Sequence, residues 1–485
     1  MAKNVILLVF DTLRSDFTHP REGSKIRPQN INYVGEDGVS FKNAFAVGPG
    51  TPISHGGLFT GQYPSNSGVT GQYINLPRGN PTMPEWFSEH GYATMGIAGP
   101  SKIASDFDYD RGFDVYFEPY YDIGYRDRKP TKEYFQNVLS NWDIFKDGMR
   151  TALRGEIKNT RFKFDYLRDW TSSTSEPFFA FANILEAHAP YHPPRGYRSE
   201  FDPEYREPPL FLLEYAFDSL GSHENSNVRL DRIDNVQSGE GIGRYLADPS
   251  YLNEDEIEVL KRWYAASIQY LDDEFGRFIE YYKSELADDT ILVVTADHGE
   301  QLGEHGLMAH SHYLYDETLH VPLLITGPRI PDTPDGMVSL VDLYPTLSSL
   351  SGINVPEFTD GISIFDENGR NKVFMEHGKR RIREFEESAH GQHLSNEQLR
   401  QFAAGRKAVR TETHKLVVDS IGNSTLFDVT GEIETEVDDP DVQADLMEVL
   451  FDTLPEEYGI WPEGDPENYD LNDEVINSLE DLGYV

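Results

Sequence analysis

Apolar residues occur along this chain in two arrangements: short continuous runs, and longer stretches in which they recur every three or four positions. We interpret the continuous runs as strands buried on both faces, because a half-exposed strand would alternate with polar residues. These runs span residues 4–10, 93–98, 178–185, 290–295 and 321–326. The clearest helical pattern covers 256–283, and Asn253 with Glu256 predicts a capping box at its start. Strands alternating with helices predict an α/β fold with a mostly parallel central sheet and helices on both faces.

Two stretches, 103–170 and 192–250, break this rhythm. They are rich in Tyr, Asp, Arg and Pro and show poor periodicity, so we interpret them as insertions near a pocket rim or a partner surface. After residue 370 the pattern changes to short strands at 373–376, 415–419 and 425–429, with helical patterns at 443–454 and 473–482. We therefore predict a main domain over residues 1–370 and a smaller C-terminal α/β subdomain over 371–485.

Composition narrows the possible partners. The 485 residues include 42 basic and 83 acidic side chains, a formal net charge of −41, and a chain this acidic repels nucleic-acid phosphates. The acidic residues are spread along the chain and 15 Lys stand against 27 Arg, which predicts a halophilic surface, as in haloarchaeal proteins; the alternative is an ordinary acidic protein. Cysteine is absent, which excludes disulfides, thiolate metal sites and a cysteine nucleophile.

The lengths of the apolar runs indicate whether the chain could cross a membrane or carry a secretion signal. No apolar run approaches the ~20 residues that a membrane span requires. The first run ends at Phe10 and Asp11 follows at once, so it is too short for the core of a secretion signal. We therefore expect a cytoplasmic protein without a membrane span.

Polar side chains follow three of the predicted strands. Asp11 follows the first, Glu186 and His188 follow the run at 178–185, and Asp297 with His298 follow the run at 290–295. Ligands bind at the carboxyl ends of the strands in open parallel sheets. Three such ends with metal-competent residues favour a functional site over coincidence.

The segment 47–61 predicts a tight turn that leads into a helix. Gly48, Pro49 and Gly50 form the turn, Pro52 suits the first helical position, and Thr51 is then the predicted N-cap. One interpretation is that Thr51 only caps the helix. The alternative is functional: helix amides attract anions, and a hydroxyl there, beside a divalent cation, could lose its proton and attack phosphorus or sulfur.

Five segments together resemble the sulfatase branch of the alkaline phosphatase superfamily, and they span nearly the whole chain. Residues 4–16 (NVILLVFDTLRSD) are similar to its opening strand and metal aspartate, and 51–61 (TPISHGGLFTG) to its nucleophile signature. Residues 295–306 (TADHGEQLGEHG) resemble its second metal motif. His310 with 314–324 (LYDETLHVPLL), and the final 476–485 (INSLEDLGYV), are similar to later segments.

The resemblance implies a role for each matching residue. The set that would bind one divalent cation is Asp11, Thr51, Asp297 and His298. Thr51 falls at the nucleophile position, and His55 replaces the signature's arginine as a substrate-binding residue. His188 would face the transferred group, and His310 would bind substrate oxygens or assist the leaving group.

Two departures from the family pattern matter. Sulfatases convert Cys or Ser at the nucleophile position to formylglycine, and Thr51 cannot form that aldehyde, so phosphate esters are favoured over sulfate esters. Threonine nucleophiles occur in relatives that process phosphoryl and phosphonate groups, and Ser54 is a weaker candidate. Thr12 replaces a second aspartate found in many relatives, which favours a single metal. The oxygen-rich set suits Mg²⁺, Mn²⁺ or Ca²⁺, and the imidazole keeps Zn²⁺ possible; a second metal would need ligands such as His188, His310 or His312.

The sequence thus predicts a metal-dependent hydrolase of phosphate esters, with a small-molecule or sugar ester as substrate. Two alternatives stay open. The same intermediate could pass its phosphoryl group to an alcohol, which would make the protein a transferase. The scaffold could also be a non-catalytic binding protein. No phosphate-loop or dinucleotide motif is present.

Overall fold

The structure is a computed structural model that describes residues 4–18, 26–118, 158–174, 177–194, 196–206, 222–310, 312–332, 336–366, 369–431 and 433–457. Its strands in chain order are β1 (Asn4–Phe10), β2 (Val39–Phe41), β3 (Ala44–Phe45), β4 (Ala93–Ile97), β5 (Val115–Phe117), β6 (Phe178–Ile184), β7 (Tyr205–Arg206), β8 (Ser222–His223), β9 (Thr290–Thr295), β10 (Gln301–Leu302), β11 (Met308–Ala309), β12 (Leu323–Thr326), β13 (Val338–Ser339), β14 (Val373–His377), β15 (Arg406–Arg410), β16 (His414–Asp419), β17 (Ser424–Asp428) and β18 (Thr435–Val437). Its α-helices are α1 (Ser15–Thr18), α2 (Gln29–Asp37), α3 (Thr51–Thr60), α4 (Pro64–Ser67), α5 (Met83–Glu89), α6 (Thr160–Ser173), α7 (Tyr197–Phe201), α8 (Leu230–Asn235), α9 (Gly239–Ala247), α10 (Glu254–Tyr281), α11 (Asp316–Leu319), α12 (Leu343–Ser351), α13 (Ile382–Glu387), α14 (Asn396–Phe402) and α15 (Pro440–Thr453).

Seven strands form the central sheet in the order β2-β12-β9-β1-β6-β4-β5. The five from β9 to β5 are parallel, and the pair β12 and β2 closes one edge in antiparallel pairing. Every residue of β1, β6 and β9 is buried, as the continuous apolar runs predicted. The predicted mostly parallel sheet is therefore confirmed, and the five predicted strands are β1, β4, β6, β9 and β12 with small differences at their ends.

Helices cover both faces of this sheet, as predicted. On one face Phe10 of β1 packs edge-on against Phe275 of α10, with ring centroids 5.3 Å apart. On the other face Phe181 of β6 packs against Phe59 of α3 at 4.9 Å. The alternating side-chain directions of a strand supply both contacts.

The long helix α10 confirms the capping box predicted at its start. The Asn253 side chain accepts a hydrogen bond from the Glu256 amide, and the Glu256 carboxylate accepts one from the Asn253 amide. The helix continues into a π-helical turn at Tyr282–Leu286. Among the described residues no helix combines the length and the apolar character that crossing a bilayer requires.

The C-terminal part of the chain forms a second sheet of five antiparallel strands, β14 to β18 in sequence order. Helix α15 packs on it through Leu446 and Leu450, which join Leu416 and Leu426 in one apolar cluster. This confirms a C-terminal α/β unit, although β15 and β18 were not predicted. The boundary after residue 370 stays a prediction, and the helix predicted at 473–482 lies outside the described residues.

The stretches interpreted as irregular insertions contain regular structure. Helix α6 lies within 103–170, and α8 and α9 lie within 192–250. The sequence analysis did not predict these helices, and the location of the two stretches near a pocket rim or a partner surface stays a prediction. Residues 119–157 and 207–221, within the same stretches, lie outside the described part of the chain.

Candidate active site

The site lies where adjacent parallel strands end. Strands β9, β1 and β6 are neighbours in the sheet and run in the same direction, so the side chains that follow them share one edge. Asp11 follows β1, and Asp297 with His298 follow β9. The prediction that these residues lie close together is confirmed: one ligand atom from each lies within 4.8 Å of the others, and all three residues are buried.

Each of the two carboxylates has one oxygen held by the protein and one without a hydrogen-bond partner. Asp297 Oδ1 accepts from the amides of Thr12, at 3.2 Å, and His298, at 3.0 Å. Asp11 Oδ2 accepts from the Asn183 side chain at 3.0 Å. Asp11 Oδ1 and Asp297 Oδ2 are buried and have no partner. Unsatisfied buried carboxylate oxygens are rare in folded proteins and call for a ligand.

Burial and mutual repulsion make this pair hard to ionise. Burial, with the neighbouring charge of Asp297 as the second cause, raises the pKa of Asp11 to about 6. Burial raises the pKa of Asp297 to about 7, and it lowers the pKa of His298. A divalent cation would favour both carboxylates in their charged form and an unprotonated imidazole. The residues present therefore fit a bound metal ion with oxygen-rich ligation.

Thr51 is the first residue of α3 rather than its N-cap, so that prediction is wrong by one position. Gly50 is the N-cap, with an extended backbone at φ −169° and no side chain to cap the helix. A capping side chain must precede the first helical residue. The Thr51 hydroxyl is instead 3.2 Å from His298 Nε2. Ser54 donates to the Gly48 carbonyl at 3.0 Å, which is a structural contact within the turn.

His55 lies behind the carboxylates and is fully buried. Its Nδ1 is 2.9 Å from the Thr51 carbonyl and 3.5 Å from Asp297 Oδ2. Its Nε2 is 3.3 Å from the Asn183 amide nitrogen. Burial lowers the pKa of His55 to about 3, so the ring is neutral; with its proton on Nδ1 it donates to the Thr51 carbonyl and accepts from the Asn183 amide at Nε2. Its predicted role in substrate binding stays a prediction.

Asn183 is a site residue that sequence reasoning missed. It lies within β6 and bonds Asp11 on one side and His55 on the other. A Cβ atom at Gly99 would lie 2.0 Å from the Asn183 side-chain oxygen, so only glycine leaves room for the amide. A lone amide within an otherwise apolar run was the available signal.

His310 and His188 form the outer wall of the site. The His310 ring centroid is 4.3 Å from that of His298 and 5.2 Å from that of His188. His310 Nδ1 is 3.0 Å from Glu300 Oε1, and the Tyr191 hydroxyl donates to Glu300 Oε2 at 3.0 Å. Burial raises the pKa of Glu300 to about 8. Glu300 and Tyr191 were not predicted, and together they hold the His310 ring.

The remaining strand-end residue, Glu186, is held by the protein. Its carboxylate accepts from the Thr160 hydroxyl at 2.6 Å, and its carbonyl accepts from Lys158 Nζ at 3.1 Å. Lys158 also bonds the His188 carbonyl, so it anchors the loop that carries His188. Among the described residues, one other acid–histidine set has ligand atoms this close together, and it consists of His305, Glu317 and Glu434.

The fold and the site together define an α/β protein with a buried acid–histidine group at the carboxyl edge of a parallel sheet. The phosphonate monoester hydrolase of Agrobacterium radiobacter has a similar fold, with a TM-score of 0.66 and 19% identity, covering 93% of this chain and 95% of that one. Residues 3–353 match the Sulfatase family, and the chain belongs to that family.

Two relatives illustrate the range of the family. The uncharacterized sulfatase YidJ of Escherichia coli strain K12 is 25% identical over 396 residues, covering 78% of this chain and 74% of that protein. Human iduronate 2-sulfatase is 27% identical over 397 residues, covering 73% of this chain and 70% of its own length.

Proposed function

We propose that this protein is a metal-dependent hydrolase of phosphate esters, with sulfate esters as the less favoured substrates, and that Thr51 is its nucleophile. The observation that carries the proposal is the position of the Thr51 hydroxyl, 3.2 Å from His298 Nε2, in a site whose two carboxylates each have a bare oxygen. Small-molecule or sugar esters are the proposed substrates.

The metal ligands in this proposal are Asp11, Asp297, His298 and Thr51. A divalent cation, when bound, would polarise the transferred group and lower the pKa of the Thr51 hydroxyl. The bare oxygens Asp11 Oδ1 and Asp297 Oδ2 are the supporting observation, because a buried carboxylate oxygen without a donor is the ligand that Mg²⁺, Mn²⁺ and Ca²⁺ prefer.

In the first chemical step a bond forms between Thr51 Oγ1 and phosphorus while the bond from phosphorus to the leaving oxygen breaks. The threonine proton passes to solvent water, and the leaving oxygen takes a proton from His188 or His310 to become an alcohol. In the second step water attacks the phosphothreonine and releases phosphate and the free Thr51 hydroxyl. His188 and His310 are the proposed donors to the phosphoryl and leaving oxygens.

Glu300 prepares His310 for that role. Because burial raises the pKa of Glu300 to about 8, this carboxyl group is protonated at neutral pH and donates to His310 Nδ1. The proton of the neutral ring is then on Nε2, which can donate to a substrate oxygen. The Tyr191 hydroxyl, which donates to the other carboxyl oxygen, keeps Glu300 in this orientation.

Substitution of Thr51 tests the proposal. With p-nitrophenyl phosphate and added divalent cations, we expect Thr51→Ala to lose at least ~10³-fold in kcat, the scale on which nucleophile removal acts. Thr60→Ala is a matched control in the same helix, since Thr60 is also buried and its hydroxyl bonds backbone groups, donating to the Gly56 carbonyl and accepting from the Gln62 amide. Thr51→Ala with wild-type turnover would show that Thr51 is not the nucleophile. Absence of both metal and turnover in the wild type would favour a non-catalytic binding protein.

A further inference from the structure

Three histidines lie beyond His310, toward the C-terminal sheet, and the proposed reaction does not use them. They are His312, His377 at the end of β14, and His390 in the segment between α13 and α14; we call them the second histidine cluster. All three are buried, with 1%, 1% and 8% of their surface exposed. The rings of His312 and His390 have centroids 5.6 Å apart.

The ring nitrogens of this cluster lack hydrogen-bond partners. Both nitrogens of His312, both of His377 and Nε2 of His390 are buried without one. A purely structural buried histidine normally bonds a carbonyl or a carboxylate, as His55 and His298 do at the reaction centre. Each neutral ring carries one N–H, so the cluster offers up to three donors to a ligand that brings its own acceptors.

The surroundings select the charge of that ligand. Burial is the largest cause that lowers the pKa of each of the three histidines, and the positive charge of Arg380 is the next cause for each. Lys102 acts in the same sense on His377 and His390. Burial, with Arg380 as the next cause, lowers the pKa of Lys102 well below its ordinary value, and burial lowers that of Arg380 to about 10. An anion would favour the charged forms of both side chains and a metal ion would oppose them, even though the whole chain carries a net charge of −41.

Aromatic residues keep the cluster in a fixed, water-poor setting. His312 packs against Phe402, with ring centroids 5.3 Å apart, and against Phe385 at 5.9 Å. The Arg380 guanidinium lies over the same Phe385 ring, 5.2 Å from its centroid. An anion held by few donors is bound more strongly where water is excluded.

The cluster adjoins the reaction centre. His312 is two residues from His310, and both His312 and Lys102 act electrostatically on His310. A substrate whose scissile ester lies at Thr51 could therefore extend past His310 to the cluster. We propose that the second histidine cluster, with Arg380 and Lys102, binds an oxyanion group, a carboxylate, sulfate or phosphate, that the substrate carries in addition to the ester that is cleaved. This inference rests on the proposed hydrolase function.

Matched substrates test it. The probes are p-nitrophenyl phosphates whose ring carries a carboxylate on a tether of two or four carbons, each paired with the neutral carboxamide. We expect the wild type to prefer a carboxylate over its carboxamide by about tenfold or more in kcat/KM, the effect of one charge-assisted hydrogen bond. In His377→Leu and His390→Leu the preference should fall below about threefold, while turnover of plain p-nitrophenyl phosphate stays near the wild-type value.

Controls separate the possible outcomes. His414→Leu removes a histidine from the same sheet as His377, at the start of β16, whereas His377 lies level with the end of β16; this variant should keep the full preference. A wild type without preference at either tether, or variants that retain it, would overturn the proposal. So would a preference that inorganic sulfate at saturating concentration leaves unchanged, since a free anion of this chemistry should compete for the cluster.

A binding measurement distinguishes this proposal from the hydrolase proposal. Titration calorimetry on the Thr51→Ala variant compares the affinities of the carboxylate and carboxamide probes without turnover. If the wild type hydrolyses nothing but Thr51→Ala still prefers the carboxylate, and Thr51→Ala with His390→Leu does not, the anion site stands and the hydrolase proposal fails. If Thr51→Ala binds the carboxylate and carboxamide probes with equal affinity, and the wild type turns over plain p-nitrophenyl phosphate normally, the hydrolase proposal stands and the anion-site proposal fails.

Discussion

Removing the charge of Asp297 should stabilise the metal-free protein and abolish its response to divalent cations. In the folded state the pKa of this carboxyl group is raised by burial from 3.8 to about 7. The folded protein therefore retains a proton that the unfolded chain releases, and stability is lost as the pH rises through this window. At pH 8 the wild type bears the full cost of a buried charge, whereas Asp297→Asn bears none.

The size of the effect follows from that difference in pKa. A difference of roughly three pH units corresponds to about 4 kcal/mol. Part of this gain in stability is lost, because a neutral amide oxygen accepts more weakly from the amides of Thr12 and His298 than a carboxylate does. We expect Asp297→Asn to be more stable than the metal-free wild type by about 2 kcal/mol at pH 8, and less of this gain should remain at pH 5.

Urea denaturation followed by tryptophan fluorescence measures this, with EDTA and then with an excess of Mg²⁺ or Mn²⁺. At a cation concentration of about 100 times Kd the wild type should gain about 2.7 kcal/mol, and Asp297→Asn should gain little, so the order of stability reverses. A variant that is less stable than the wild type in EDTA, or that gains as much from the cation, would refute the reasoning.

The same substitution at Asp316 is the matched control. Asp316 lies 3.0 Å from Arg410 and 3.1 Å from Lys415. Although burial opposes ionisation, these two charges hold the pKa of Asp316 below its ordinary value. Asp316→Asn should therefore destabilise the protein, by about 3 kcal/mol or more, with or without a divalent cation.

Two further predictions concern residues that support the site. The buried Tyr264 hydroxyl donates to the Thr12 carbonyl at 2.7 Å and accepts from the Arg14 amide at 3.0 Å, so Tyr264→Phe should lose about 2 kcal/mol in urea denaturation; an unchanged midpoint would contradict this. If protonated Glu300 sets the His310 tautomer, kcat should fall as the pH rises above about 8. Glu300→Gln, whose amide donates at every pH, should remove that fall, and an identical pH profile would contradict the assigned role.

The central sheet was predictable because its strands are buried on both faces, and only continuous apolar runs satisfy that condition. Strands β2 and β5 escaped prediction because each has three residues. Strand β15 has the sequence RKAVR and reads as a surface segment, yet all five of its residues are buried. Its Lys407 pairs with Glu376 at 2.9 Å, and its Arg410 pairs with Asp316. Partners distant in sequence made these charged residues internal.

The candidate site was also predictable only in part. Asp11, Asp297 and His298 follow apolar runs, so their meeting at one edge follows from parallel pairing. Asn183 and Glu300 were missed for different reasons: the first lies inside an apolar run, and the second lies inside the second metal motif, at a position to which the resemblance assigned no role. Only the folded contacts reveal that each holds a residue of the site in place.

The sequence by itself determined the order of buried strands, the side chains that follow them and the absence of any cysteine, because local pattern and composition express these directly. The tertiary structure alone decided which of those side chains share an environment. Thr12 and Asp297, separated by 285 positions, form one hydrogen bond, and the carboxylates on either side of it acquire raised pKa values. Protonation depends on burial and on neighbouring charges, and both exist only after distant parts of the chain have packed together.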